Sequence, residues 1–208
     1  MWAAPGRDKA TVKMFFDQLG KSRTFKLRLV SADAAHWIGD VVRSRCLNAK
    51  LTMDSFHVVH WATNALDVVR RQMWNNARRA GQKAVAKELK GARYALWRNP
   101  EDLSDKQAAK LADIARTNRR LYRAYLLKEQ LSQVLQLRGA AGIALFDRWL
   151  AWAQRCRIDA FVKLGRSIRR HRAAIDKTLT TGTTNALVES TNTKLRVIHR
   201  RAYGFQGS

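Results

Sequence analysis

Acidic residues are scarce in this chain: 16 Asp and Glu stand against 40 Lys and Arg, for a formal charge of +24. Such an excess opposes compaction unless it is spread out or neutralised, and it points to a polyanionic partner. Nucleic acid is the first candidate and an anionic membrane the second. Long apolar runs are also missing, and no segment approaches the ~18–20 uninterrupted apolar residues of a spanning helix. The opening residues, Met1 to Pro5, lack the basic-then-apolar layout of a signal peptide. There are two cysteines, Cys46 and Cys156, too far apart for zinc spacing. Reduced thiols in a cytoplasmic, nucleoid-associated protein are the expectation. With two prolines, seven tryptophans and no repeat or low-complexity segment, a packed and helix-rich structure is expected, not a disordered basic tail.

Against that background, residues 25–60 organise the chain. Leu27, Leu29 and Val30 form a run of strand length that stops at Asp33. A helical stretch from Ala34 to about Arg45 and a turn at Leu47-Asn48 lead to a second run, Leu51 to Met53, which stops at Asp54. Strand, helix and strand make a βαβ unit, and open α/β sheets place their chemistry at the carboxyl ends of the strands. Two acids fall just there.

Before this unit, residues 8–20 carry Val12, Phe15, Phe16 and Leu19 at helical spacing, with Gly20 as a C-terminal stop. After it, the rhythm is helical for over a hundred residues. Trp61 to Ala80 places Ala65, Leu66, Val69 and Met73 inward, and Arg70, Arg71, Arg78 and Arg79 on the remaining surface. Val85 to Trp97 continues the pattern until a break at Asn99-Pro100, and Ser104 has the character of an N-cap. Leu121 to Leu137, Gly142 to Cys156 and Ile158 to Ile175 repeat it. Trp74, Trp97, Trp149 and Trp152 could stack on unpaired bases, but among leucines at helical spacing they read as core. The last segment has a polar loop, Thr180 to Thr184, and then a helix. There Glu189 shares a face with Asn192, Thr193 and Arg196.

Two strand-end aspartates and a distant helical glutamate suit metal-assisted phosphoryl transfer. Paired Mg²⁺ or Mn²⁺ ions need hard carboxylate oxygens, and basic surface holds the phosphodiester backbone. Spacing alone leaves a plainer reading open. Asp33 and Asp54 can each cap the helix that follows, Glu189 can be a solvated helix residue, and His57, three residues after Asp54, can be a packed histidine.

Several stretches carry a resemblance. Leu29 to Asp33, Asn48 to Val59, Ala65 to Arg71, Asn118 to Glu129, Val188 to Arg196 and Arg200 to Phe205 are similar to the DDE transposases of bacterial insertion sequences in the ISL3 group. The resemblance implies an α/β, mostly helical fold. It has a partial ribonuclease H-like core (a βαβ remnant, residues 1–60), a large all-helical insertion (61–179), and a C-terminal core helix (180–208). It implies metal-dependent DNA strand cleavage and strand transfer with two Mg²⁺ or Mn²⁺ ions, on transposon-end and target DNA. Partners would be further copies of the chain or a full-length transposase; no membrane is involved.

Carried over residue by residue, Asp33 matches the second acid and Glu189 the third, with Asp54 as the alternative second acid. His57, Asn192, Lys194, Arg196, Arg200 and Arg201 fall to DNA contact. The family's first aspartate, on an earlier core strand, has no counterpart before Asp33, since Asp8 and Asp17 lie on a helix. The family's Ser-Asn-Gly-Arg-Val-Glu is here Thr184-Asn185-Ala186-Leu187-Val188-Glu189, without the glycine and the arginine. The expectation is a chain truncated at both ends and impaired in catalysis. The alternative is a non-catalytic basic DNA-binding protein or an inhibitor of an intact transposase.

Overall fold

The computed structural model describes residues 2, 4–6, 8–32 and 36–182. Helix α1 (Lys9–Leu19) starts where the Asp8 carboxylate accepts the Thr11 N–H at 2.8 Å, and stops at Gly20, whose φ of 82° suits a residue without Cβ. A short helix, α2 (Lys21–Lys26), follows at once. No helical rhythm announces it, because six residues are too few to show a period. Strand β1 (Leu29–Ala32), helix α3 (His36–Arg45) and strand β2 (Lys50–Met53) complete the βαβ unit. The strands pair in parallel, Leu29 opposite Lys50 and Ala32 opposite Met53, with α3 as the crossover a parallel pair requires. A Cβ added to Gly39 of α3 would lie 3.3 Å from Leu51 Cδ2, so glycine lets the helix sit close on β2. Phe16, Val41, Val42 and Cys46 form a small core between α1 and α3. Burial pushes the Cys46 thiol above its usual range.

Helix α4 (Ser55–Arg79) leaves the end of β2 directly and runs 25 residues, six positions earlier than the rhythm from Trp61 suggested. Then come α5 (Lys83–Gly91), α6 (Arg93–Trp97), a 3-10 turn (Pro100–Asp102), α7 (Asp105–Thr117), α8 (Arg119–Gln136), α9 (Gly139–Arg155), α10 (Asp159–Arg170) and α11 (Arg172–Thr181). Ser104 caps α7 in a capping box with Gln107. The stretch expected as one helix over 158–175 is two, broken at His171, where ψ opens to 7°. A second, much larger core fills this block; Leu66, Leu121, Leu127, Phe146, Trp149 and Phe161 are fully enclosed. Trp149 donates its indole N–H to Leu127 O at 2.8 Å, and Trp74, Trp97 and Trp152 pack against the same core.

One basic residue departs from expectation. Arg70 is buried, not on the surface, because Asp67 one turn earlier neutralises it at 2.7 Å and the Leu89 carbonyl accepts from it at 3.3 Å. A buried cation is tolerated only when paired and hydrogen-bonded in this way. Lys128 follows the same rule: it is 1 % exposed, pairs with Glu129 and donates to Arg98 O. No helix among the described residues is long and apolar enough to cross a membrane.

Candidate active site at the strand ends

Asp54 follows β2 immediately, and its N–H donates to the carbonyl of Ala32, the last residue of β1, at 3.2 Å. The two strands therefore end level, and Asp33 is the next residue after Ala32 in the sequence. The Asp54 carboxylate is largely engaged. One oxygen accepts the Phe56 N–H at 3.1 Å, capping α4, and the other lies 3.5 Å from His57 Nδ1. Its side chain is 15 % exposed and that of His57 39 %. The Asp-x-x-His pair is thus a local i,i+3 contact on the first turn of α4. Phe56 and His60 stack on the same helix, rings 6.3 Å apart, and with Ser55, Trp97, Asn99 and Ser132 they line a groove.

A second connection reaches the same point from far along the chain. The Thr178 hydroxyl on α11 accepts the Met53 N–H at 3.0 Å and lies 2.8 Å from the Met53 carbonyl, to which it can donate. Both residues are buried, and the alternative acceptor for the hydroxyl is Ala174 O at 3.0 Å. The outer edge of β2 is thereby satisfied by a side chain where a neighbouring strand would stand. The helical block leaves the sheet at Asp54 and returns to it one residue earlier, at Met53. Nothing in the local sequence marks Thr178, because a helical threonine ordinarily bonds the carbonyl one turn back.

Asp33, Glu189, Asn192, Lys194, Arg196, Arg200 and Arg201 lie outside the described residues. Among the described ones, no three His, Cys, Asp or Glu side chains converge as a metal site would require. Asp8 and Asp17 are committed elsewhere, Asp8 to the cap of α1 and Asp17 to Arg45 at 2.9 Å.

The sequence profile of the ISL3-type DDE transposases, described as "Transposase", matches residues 1–208. The chain belongs to this transposase family. The transposase for insertion sequence element IS1557 of Mycobacterium tuberculosis is 54 % identical over 225 aligned positions, covering 99 % of this chain and 51 % of the relative. The transposase for insertion sequence element IS1001 of Bordetella parapertussis is 26 % identical, again over 99 % of this chain and 51 % of its own length. The chain spans about half the length of these curated relatives. No solved structure matches it. In this ISL3-family chain the two strands end level, with an acid next in sequence to each.

Proposed function

We propose that the chain carries part of the catalytic centre that cuts and joins DNA strands during transposition of an insertion sequence. In this reading β1, α3 and β2 belong to a ribonuclease H-like core, residues 61–179 are a helical insertion into it, and 180–208 return to it. Asp33 is the second acid and Glu189 the third. The observation that carries the proposal is the shared strand end: Asp54 N–H on Ala32 O, and Thr178 on Met53. Glu189 follows Gly182, the residue after α11, by seven positions, a short reach from that clamp. Asp33 is preferred over Asp54 because the Asp54 carboxylate already holds Phe56 N–H and His57.

Carboxylate oxygens are hard donors, so the residues fit Mg²⁺ or Mn²⁺. Two such ions, when bound, activate the attacking oxygen and stabilise the leaving one. Asp33 and Glu189 would hold them. His57, Asn192, Lys194, Arg196, Arg200 and Arg201 would bind the phosphodiester backbone and orient the scissile bond. The partners are transposon-end and target DNA, and a further copy or a full-length transposase.

Because Asp8 and Asp17 are engaged in local contacts, the 208-residue polypeptide alone offers two of the family's three acids. Little strand transfer is expected from it with end-containing DNA and Mg²⁺ or Mn²⁺. Robust joined products from this polypeptide alone would overturn the two-acid reading. Unchanged Mn²⁺ affinity after Asp33→Ala and Glu189→Ala would remove both residues from the metal site.

A further inference from the structure

We infer that the helical block carries its own DNA phosphate-binding face, built where the start of α8 meets the α9–α10 turn. The site rests on the nucleic-acid reading above but shares none of its residues. Arg123 of α8 donates to the carbonyl of Cys156 at 3.3 Å, which fastens the first turns of α8 to the end of α9. Cys156 is flanked by Arg155 and Arg157, both exposed. Arg119 and Arg120 lie four and three positions before Arg123 and so share its face. Five arginines are therefore gathered on two elements 33 residues apart at their point of contact. None of the five has a carboxylate partner among the described residues, whereas Arg70, Arg71, Arg116 and Arg172 each pair with an aspartate.

Backbone conformation supplies an independent sign. Arg157 has φ 59°, the only positive value outside glycine among the described residues. An L-residue there is strained, and glycine or asparagine would relieve most of the strain. Holding an arginine at a strained position, amid four more cations, opposes stability twice over. Such strain concentrates at functional sites. A polyanion that threads between the cations relieves the repulsion, and guanidinium forks match phosphate oxygens bidentately. Duplex DNA is the occupant that fits the family.

The test compares two triple variants that remove equal charge. One is Arg119→Gln, Arg120→Gln and Arg157→Asn, which leaves the structural Arg123 bond alone and places asparagine where positive φ is tolerated. The other is Lys83→Gln, Lys87→Gln and Lys90→Gln, on the exposed side of α5. Binding of the full chain to a labelled DNA duplex is followed by anisotropy between about 50 and 200 mM salt, in chelator. Each lost phosphate contact lowers the log–log salt slope by about 0.9. The first triple is expected to lower the slope by roughly 2–3 and weaken binding at least about tenfold, the second to change the slope by less than about 1. Single Arg120→Gln, read alongside, should lower it by about 1 whatever the fate of the triple. Equal losses in the two triples would overturn the proposal. So would unchanged DNA binding in the first triple, including the case where only its binding to phosphatidylserine vesicles falls. Because no divalent metal is present, failure of the acid assignment leaves this result intact, and failure of the arginine face leaves the acid assignment intact.

Discussion

The βαβ unit and the helical block differ in how they earn their stability. The block buries a continuous core, from Val58 on α4 to Leu179 on α11, that includes an enclosed tryptophan and two phenylalanines. The unit has two strands of four residues and, among the described residues, its own core of just four buried apolar side chains, Phe16, Val41, Val42 and Cys46. Two short strands are marginal by themselves. Their end is held from outside, by Thr178 on Met53, and β2 passes from the small core at Leu51 to the large one at Met53. The expected dependence therefore runs one way: the block has a large core of its own, whereas the sheet end leans on the block. This fixes the strand ends to a large packed mass of helices, the kind of rigid support that the proposed catalytic carboxylates would need.

The sharpest way to break this comparison is Trp149→Ala, which empties the centre of the block and removes the indole hydrogen bond to the Leu127 carbonyl. A loss of about 4–5 kcal/mol is expected, and hydrogen exchange should speed up in α8, α9 and also β2. A β2 that stays protected would show that the sheet does not lean on the block. Phe16→Ala should cost about 3 kcal/mol, with faster exchange confined to α1, β1 and α3. Opening of α8 in that variant would contradict the one-way dependence.

Thr178→Val keeps the shape but leaves Met53 N–H and C=O without the hydroxyl, a loss of about 1–3 kcal/mol in chemical denaturation, with Thr178→Ser recovering most of it. Asp54→Ala should cost about 1 kcal/mol through the lost cap of α4, and Asp54→Asn much less. The smallest effect is electrostatic. Hydrogen bonds from Lys9, and then Arg43, hold the Asp40 carboxyl below its ordinary 3.8 and tie α1 to α3. With the folded value lowered, the contribution is present above the unfolded value and fades as pH falls through the folded one. Melting curves taken downward from about pH 5 should therefore fall slightly more steeply for the wild type than for Asp40→Asn.

The helices were legible because apolar spacing repeats within a single turn: Ser104 marked α7, Gly20 closed α1, and the four tryptophans fell to core. The strands were legible to within two residues, Leu29–Ala32 against an expected start at Leu27. Helix α2 was not, being too short to show a period. Of the candidate site, the acids at the strand ends could be read from sequence, but not whether the strands end level.

Sequence by itself determined the helical majority, the βαβ order and the large excess of positive charge, since each follows from neighbours within a few positions or from composition. Tertiary structure alone decided that Arg70 turns inward, that α8 meets the α9–α10 turn in a cluster of arginines, and that Thr178 clamps Met53. The last two residues are 125 positions apart, and no local propensity reaches across such a distance. Only the packed core, by closing the long helical loop upon itself, brings them together.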